Sequence, residues 1–259
     1  MELELAGRVA VVTGASRGIG LAVVRGLASN GAHVIAGARK SSAELDELTR
    51  SSHVRMVEAD LAEPDGPAML VAAAGDRIDI LVNNVGSAPA RTGGFLSITD
   101  DDWQISVTLN LMAAVRTTRS ALPVMLAAGQ GVIVNISSVN AFLPDPAVMD
   151  YSAAKAALAN FSKSLSKEVG PKGIRVNTVS PGPVATDLWL GDGGVAQTVS
   201  RATGARPEDV AQQAAGDSVT GRFTQPAEVA DMVLFLASDR TANVTGANIT
   251  IDGGLITTW

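Results

Sequence analysis

Short apolar, β-branched runs recur along the chain at 8–12, 33–36, 54–57, 78–82, 132–136, 174–179 and 248–251. Most are continuously hydrophobic rather than alternating, the pattern of strands covered on both faces of a parallel sheet. Between them lie Ala- and Leu-rich stretches of helical length at 19–29, 42–50, 64–74, 100–128, 151–169 and 226–237. Pro64 and Pro226 stand where a first helical residue is expected, and Gly31, Gly129 and Gly170 where helices should stop. This alternation predicts an α/β fold, a doubly wound parallel sheet with right-handed crossovers. The stretch 188–225 breaks the rhythm, with mixed polarity, scattered glycines and one short helix expected at 207–215. A long irregular insertion in a compact domain reads as a lid or binding loop. The expected organisation is one domain, 1–259, with a lid at 188–225.

Composition narrows the function classes. With 46% hydrophobic and 18% charged residues in 259, the chain is neither disordered nor a coiled coil. Twenty Lys+Arg against 26 Asp+Glu give a net charge of −6, which argues against a nucleic-acid binder. Cysteine is absent, so disulfides, thiol nucleophiles and thiolate metal sites are excluded together. His33 and His53 have no ligand-like spacing, so no metal is expected. The opening MELEL carries no basic stretch of a secretory signal, and no apolar run approaches a membrane span. A cytoplasmic protein without membrane association is the expectation. The 26 glycines call for many tight turns or close backbone approaches to a ligand.

The glycines concentrate usefully in Thr13-Gly14-Ala15-Ser16-Arg17-Gly18-Ile19-Gly20, between the first strand and the first helix. Gly14 permits a sharp turn, Gly18 lets the backbone approach a pyrophosphate, and Gly20 lets helix and strand pack closely. The helix N-terminus then offers N–H donors to the phosphates. At the end of the second strand an NAD enzyme would place a carboxylate for the ribose 2′-OH. Here stand Ala38 and Arg39, with Arg17 inside the glycine loop. Two guanidinium groups suit a 2′-phosphate, so NADP(H) is preferred over NAD(H). Tyr151 is the sole tyrosine, and Lys155 follows one helical turn later on the same face. A nearby ammonium is expected to lower the phenol's pKa and fit it for acid–base work. Ser138, just past the strand 132–136, could polarise a carbonyl.

Taken in order, Thr-Gly-xxx-Gly-x-Gly, Asn83-Asn84-Val85-Gly86, Asn110, Ser138, Tyr-xxx-Lys and Ser180-Pro181-Gly182 resemble the short-chain dehydrogenase/reductase family over essentially the whole chain. The resemblance implies a Rossmann-type sheet of seven strands in the order 3-2-1-4-5-6-7. It implies Tyr151 as general acid, Lys155 as its partner and a ligand of the nicotinamide ribose, and Ser138 on the substrate oxygen. Asn110 would hold a water that relays protons to the lysine. The thirteen-residue interval to Tyr151 selects Ser138 over Ser137. For the cofactor it implies Gly14, Ser16, Arg17, Gly18, Ile19, Gly20 and Arg39, then Asp60 and Leu61 at the adenine. Asn84 and Gly86 would line the ribose, with Asn83 structural. Pro181, Gly182, Val184 and Thr186 would hold the carboxamide. Val85 departs from the family's alanine and could crowd the cofactor.

Three readings follow. The first is a reductase of a small free ketone, run in reverse as an alcohol dehydrogenase, with a pocket wall from Val139, Asn140, Val148, Leu188 and Trp189. The second is a 3-oxoacyl-[acyl-carrier-protein] reductase. Residues 125–130 carry no charge, which disfavours an acidic carrier, unless Arg116, Arg119 or Arg175 gather into a basic patch. The third is a non-catalytic NADP(H) sensor, disfavoured because all four catalytic-type residues are kept. Relatives imply a homodimer or homotetramer, with Met112, Val115, Leu122, Phe161 and Leu165 at the interface or in the core, and Trp259 in an interfacial tail.

Overall fold

The computed structural model describes residues 3–50 and 53–258. Seven strands form one parallel sheet in the order β3-β2-β1-β4-β5-β6-β7. They are β1 (Val9–Thr13), β2 (His33–Ala38), β3 (Val54–Glu58), β4 (Ile80–Asn83), β5 (Gly131–Ile136), β6 (Ile174–Pro181) and β7 (Asn248–Ile251). The expected strand order is the one observed. The helices between them are α1 (Gly18–Ser29), α2 (Ala43–Leu48), α3 (Gly66–Ala72), α4 (Asp100–Val107), α5 (Ala113–Ala128) and α6 (Met149–Val169). After β6 come α7 (Asp187–Leu190), α8 (Val195–Thr203), α9 (Pro207–Gly216) and α10 (Pro226–Ala237).

The continuous hydrophobicity of the strands has a plain cause. Ala10 and Val12 face a core with Val23, Leu27 and Leu234, whereas Val11 between them joins a second core with Leu70, Met125 and Leu165. Each inner strand feeds both layers alternately, so nearly every position is apolar. On the first face α1 lies close to α10, where a Cβ at Gly26 would meet Leu234 at 3.0 Å.

One polar chain crosses the other layer. Asn83 Nδ2 donates to Thr118 Oγ1 on α5 (3.0 Å) and to Asn135 Oδ1 on β5 (2.8 Å). Asn135 Nδ2 donates to Ser162 Oγ on α6 at 2.7 Å. All four residues are buried. Two helices and two strands are thereby tied at one register.

Several sequence expectations need correction. The stretch 100–128 is not one helix, because a π-turn over Thr108–Met112 separates α4 from α5. Asn110 Nδ2 donates to Ser106 O at 3.0 Å, a side-chain bond that competes with the main-chain ladder. The helix expected from Pro64 begins at Gly66, with Pro67 in its first turn. Gly170 does end α6, as expected, but with an ordinary φ of −56°, and a 3-10 turn over Gly170–Lys172 follows before the left-handed Gly173, φ +82°. The 188–225 stretch carries α8 as well as α9, because alternation of small and polar residues masked a strongly amphipathic turn pattern. Leu165 is buried, and Leu122 and Phe161 pack on the second core, so these three serve the interior. Trp259 lies outside the described residues.

Replacing Asn83 by Ala strands Thr118 Oγ1 and Asn135 Oδ1 without their donor. It should cost about 2–4 kcal/mol in urea unfolding with an unchanged m-value. A loss under about 0.5 kcal/mol would show that the polar chain is incidental.

Candidate active site

The strand order reverses between β1 and β4, and ligands of open α/β sheets bind at such a switch, beyond the strands' carboxyl ends. The structure stitches this point together. Thr13 Oγ1 accepts from the N–H groups of Asn84 (2.8 Å) and Val85 (3.1 Å). Asn84 Nδ2 donates to Thr13 O (3.0 Å) and Gly14 O (3.1 Å). The turn itself needs glycine: Gly14 and Gly18 have φ of +64° and +55°. A Cβ on Gly20 would sit 2.1 Å from Gly14 O. Asn84 therefore has a bracing task beyond the ribose-lining one read from sequence.

The surroundings fit a dinucleotide phosphate. The α1 N-terminus has no side-chain cap and no acidic residue in its first turn, so its N–H donors are uncommitted to side chains. Ser16, Gly18 and Ile19 are half-buried on the turn, and Arg17 and Arg39 are exposed. Ala38, which precedes Arg39, is buried. Asp60 Oδ1 accepts from Ala62 N at 2.9 Å, and Leu61 is buried beside it. From β6, Pro181 and Val184 are buried, and Gly182 N donates to Ile251 O. Thr186 reaches the glycine turn, its Cγ2 lying 3.1 Å from a Cβ built on Gly18. Arg17 meets Asp187 at 3.7 Å across the cleft mouth, both largely exposed.

The four catalytic-type residues come from three different elements. Ser138 follows β5, Tyr151 and Lys155 sit on α6, and Asn110 lies in the π-turn. Lys155 is buried, its Nζ donating to Ile136 O at 2.8 Å and lying 5.7 Å from the centre of the Tyr151 ring. Ser137 Oγ donates to Lys155 O, so that hydroxyl is spent on helix backbone. Ser138 Oγ instead bonds Asn140, donating to its Oδ1 and accepting from its N, both at 3.1 Å. Asn110 spends its amide protons locally, Nδ2 donating to Ser87 O (2.9 Å) and Ser106 O (3.0 Å), while Oδ1 accepts from Ser87 N (3.0 Å) and keeps a second lone pair. Gly86 fills the gap, since a Cβ there would stand 2.8 Å from Asn110 Oδ1 and 3.3 Å from Lys155 Nζ.

Electrostatics differ from the sequence expectation. Burial pushes the Tyr151 phenol above its ordinary value, with a hydrogen bond from Ser138 pulling the other way. Burial lowers the Lys155 ammonium to about 8. Lys155 is buried and Tyr151 half-buried, and loss of water is the larger cause at each. Of the expected pocket wall, Val139 and Val148 are buried, Asn140 and Trp189 are half-buried, and Leu188 is exposed. Phe223 meets Trp189 edge-on at 5.4 Å.

Residues 14–256 match a family model described as Enoyl-(Acyl carrier protein) reductase, and the chain is similar to oxidoreductases over nearly its whole length. The chain belongs to the short-chain dehydrogenase/reductase family. It is 36% identical to oxidoreductase UcpA of Escherichia coli K12, over 97% of this chain and 95% of that protein. It is 35% identical to the 3-oxoacyl-[acyl-carrier-protein] reductase FabG of Aquifex aeolicus, over 98% of this chain and all of the other. Among solved structures, L-sorbose reductase from Gluconobacter frateurii, complexed with NADPH and L-sorbose, superposes with a TM-score of 0.90 at 35% identity, covering both chains fully. The protein is accordingly an oxidoreductase of this family that uses a nicotinamide cofactor.

Some contributors were missed from sequence: the bracing role of the Thr13 hydroxyl, Ser87, and the pair Arg91 and Asp150. Asp150 carried a visible signal, a carboxylate immediately before Tyr151 in an otherwise weakly charged helix start.

The Lys155 shift has a stability consequence. Its folded value, about 8, lies below the ordinary lysine value of 10.5. Between these values the unfolded chain binds more protons, so unfolding free energy rises with pH there, and the penalty is complete below about pH 8. Lys155→Met should flatten that rise and melt no lower than the parent at neutral pH. A melting temperature several degrees lower, with the rise intact, would contradict the burial argument.

Proposed function

We propose that this protein is an NADP(H)-dependent carbonyl reductase that moves a hydride between the nicotinamide and a small free ketone or secondary alcohol. The observation that carries the reading is that Lys155 Nζ lies 5.7 Å from the Tyr151 ring, with Ser138 in hydrogen-bond reach of the phenol and Gly86, just beyond β4, against the ammonium. The bound cofactor supplies the hydride, and the protein supplies orientation and charge. Tyr151 gives its phenolic proton to the carbonyl oxygen as charge develops there. Ser138 turns its hydroxyl from Asn140 to the same oxygen. Lys155, in its ammonium form, stabilises the phenolate left behind and reaches the nicotinamide ribose. Asn110 holds the proton-relay water beside it. Because the ammonium is required and titrates near 8, reduction should weaken as pH rises through that value.

Arg17 and Arg39 take the 2′-phosphate, consistent with the NADPH in the Gluconobacter frateurii neighbour. Gly14, Ser16, Gly18, Ile19 and Gly20 hold the pyrophosphate, Asp60 and Leu61 the adenine, Asn84 and Gly86 the ribose, and Pro181, Gly182, Val184 and Thr186 the carboxamide. Residues 188–225 form the substrate lid. The FabG relative supports a second reading, a carrier-linked 3-oxoacyl substrate. Against it, Arg175 is spent on the carbonyls of Leu236 and Ser238, and Arg116 donates to Ala62 O. That leaves Arg119 alone of the three candidate arginines for an acidic carrier. The exposed Phe95, Leu96 and Ile105 support assembly as a homodimer or homotetramer.

The test is NADPH consumption with a panel of free ketones and a carrier-linked 3-oxoacyl substrate. Turnover of a free ketone, reduced at least about 100-fold in Tyr151→Phe, is expected. Arg39→Ala should lower kcat/KM for NADPH about tenfold or more and leave that for NADH nearly unchanged. Turnover confined to the carrier-linked substrate would move the protein to the second reading.

A further inference from the structure

Arg91 and Asp150 form a buried ion pair that no step above uses. Arg91 Nη2 donates to Asp150 Oδ2 at 2.6 Å, and its Nη1 donates to Asp102 Oδ1 at 2.8 Å. Asp150 is fully buried, and Arg91 is half-buried, its side chain 15% exposed. Asp102 also closes the capping box of α4, accepting from Thr99 N. One guanidinium thus joins the start of α4 to the first turn of α6. Its main chain adds a third tie, Arg91 N donating to Ala147 O at 2.6 Å.

The segment leading to Arg91 crosses the catalytic group. Gly86 lies against Asn110 and Lys155, and Ser87 is held at both main-chain atoms by Asn110. Residues 86–91 are therefore a strap, fixed at one end over Lys155 and Asn110 and at the other to the residue preceding Tyr151. Burying an ion pair is seldom the most stable choice, since an apolar pair of similar volume often does as well or better. Its position, rather than its strength, is what distinguishes this one.

We propose that Arg91 and Asp150 are positioning residues of the catalytic centre: the pair holds the strap against the first turn of α6 and sets the electric field at the Tyr151 phenol. The inference builds on the proposed role of Tyr151 but can be tested without turnover, because Tyr151 is the protein's only tyrosine. Its ionisation can be read directly from the tyrosinate band in the ultraviolet, with Tyr151→Phe as the blank. The other ionisable groups on the surrounding elements are Lys155, Lys163, Lys167 and Glu168 on α6, Asp145 in the turn before it, Asp100, Asp101 and Asp102 on α4, and Arg17 and Asp187 at the cleft mouth. None of these changes between the variants.

Asp150→Asn leaves a guanidinium without its buried carboxylate and should move the Tyr151 titration down by roughly half to one pH unit. Arg91→Met leaves the carboxylate alone and should move it up by a similar amount. Arg91→Lys keeps the charge but loses the two-armed bridge. It should titrate like the parent while NADPH-dependent reduction loses about tenfold in kcat with little change in KM. Opposite displacements in the first two variants support the proposal. If Arg91→Met does not fold, Asp150→Asn and Arg91→Lys decide alone. An Asp150→Asn titration matching the parent, or displacements of the same sign in both charge variants, overturns it and leaves the pair as structural glue. Full activity in Tyr151→Phe would overturn the underlying catalytic reading instead.

Discussion

Almost every part of the site hangs from the buried amide chain Thr118–Asn83–Asn135–Ser162. Asn83 ends β4, and Asn84 to Gly86 follow it at once. Asn135 pairs with Asn83 in register, and Ser137 and Ser138 come directly after that strand. Thr118 belongs to α5, which continues from the π-turn of Asn110, while Ser162 belongs to the helix that carries Tyr151 and Lys155. A slip of one residue between β4 and β5 would send every following side chain to the opposite face. Polar groups buried between apolar layers resist such a slip, since each must find its own partner. The chain is not cost-free, because Asn83 Oδ1 is buried without a partner.

The site it supports trades stability for chemistry. A lysine taken out of water resists its charge, and a phenol taken out of water resists ionisation. Side by side in one partly closed region, each is held toward its uncharged form. The nearby strap repeats the theme with a buried carboxylate and a half-buried arginine. Three polar constructions, the amide chain, the Tyr151–Lys155 pair and the Arg91–Asp150 pair, thus occupy the same layer of the molecule, around α6.

The fold was legible because both-face burial forces nearly unbroken apolar runs in the inner strands, while the more exposed edge strands β3 and β7 still showed β-branched residues. The glycine turn and Tyr151–Lys155 were legible because their chemistry is local in sequence. What escaped was non-local or lay in geometry. Nothing near Asn110 in sequence announces a π-turn, whose cause is a bond network reaching back to Ser87. Arg91 and Asp150 are 59 positions apart and meet only after folding. The expected depression of the Tyr151 pKa failed for a physical reason too, since spacing reveals the neighbouring ammonium but not how far the fold takes the phenol out of water. His33 and His53, dismissed on spacing, lie with ring centres 5.1 Å apart because β2 and β3 pair.

The central claim is that Tyr151 protonates a carbonyl oxygen while hydride reaches the carbon beside it. NADPH carrying deuterium at the transferred position, offered with an α,β-unsaturated ketone, tests this most directly. The product's label position is then read by mass spectrometry and NMR. The account predicts deuterium on the carbinol carbon with the double bond intact. Deuterium on the β-carbon with the carbonyl retained would contradict it, and would assign this site the alkene reduction named in the description of the matching family model.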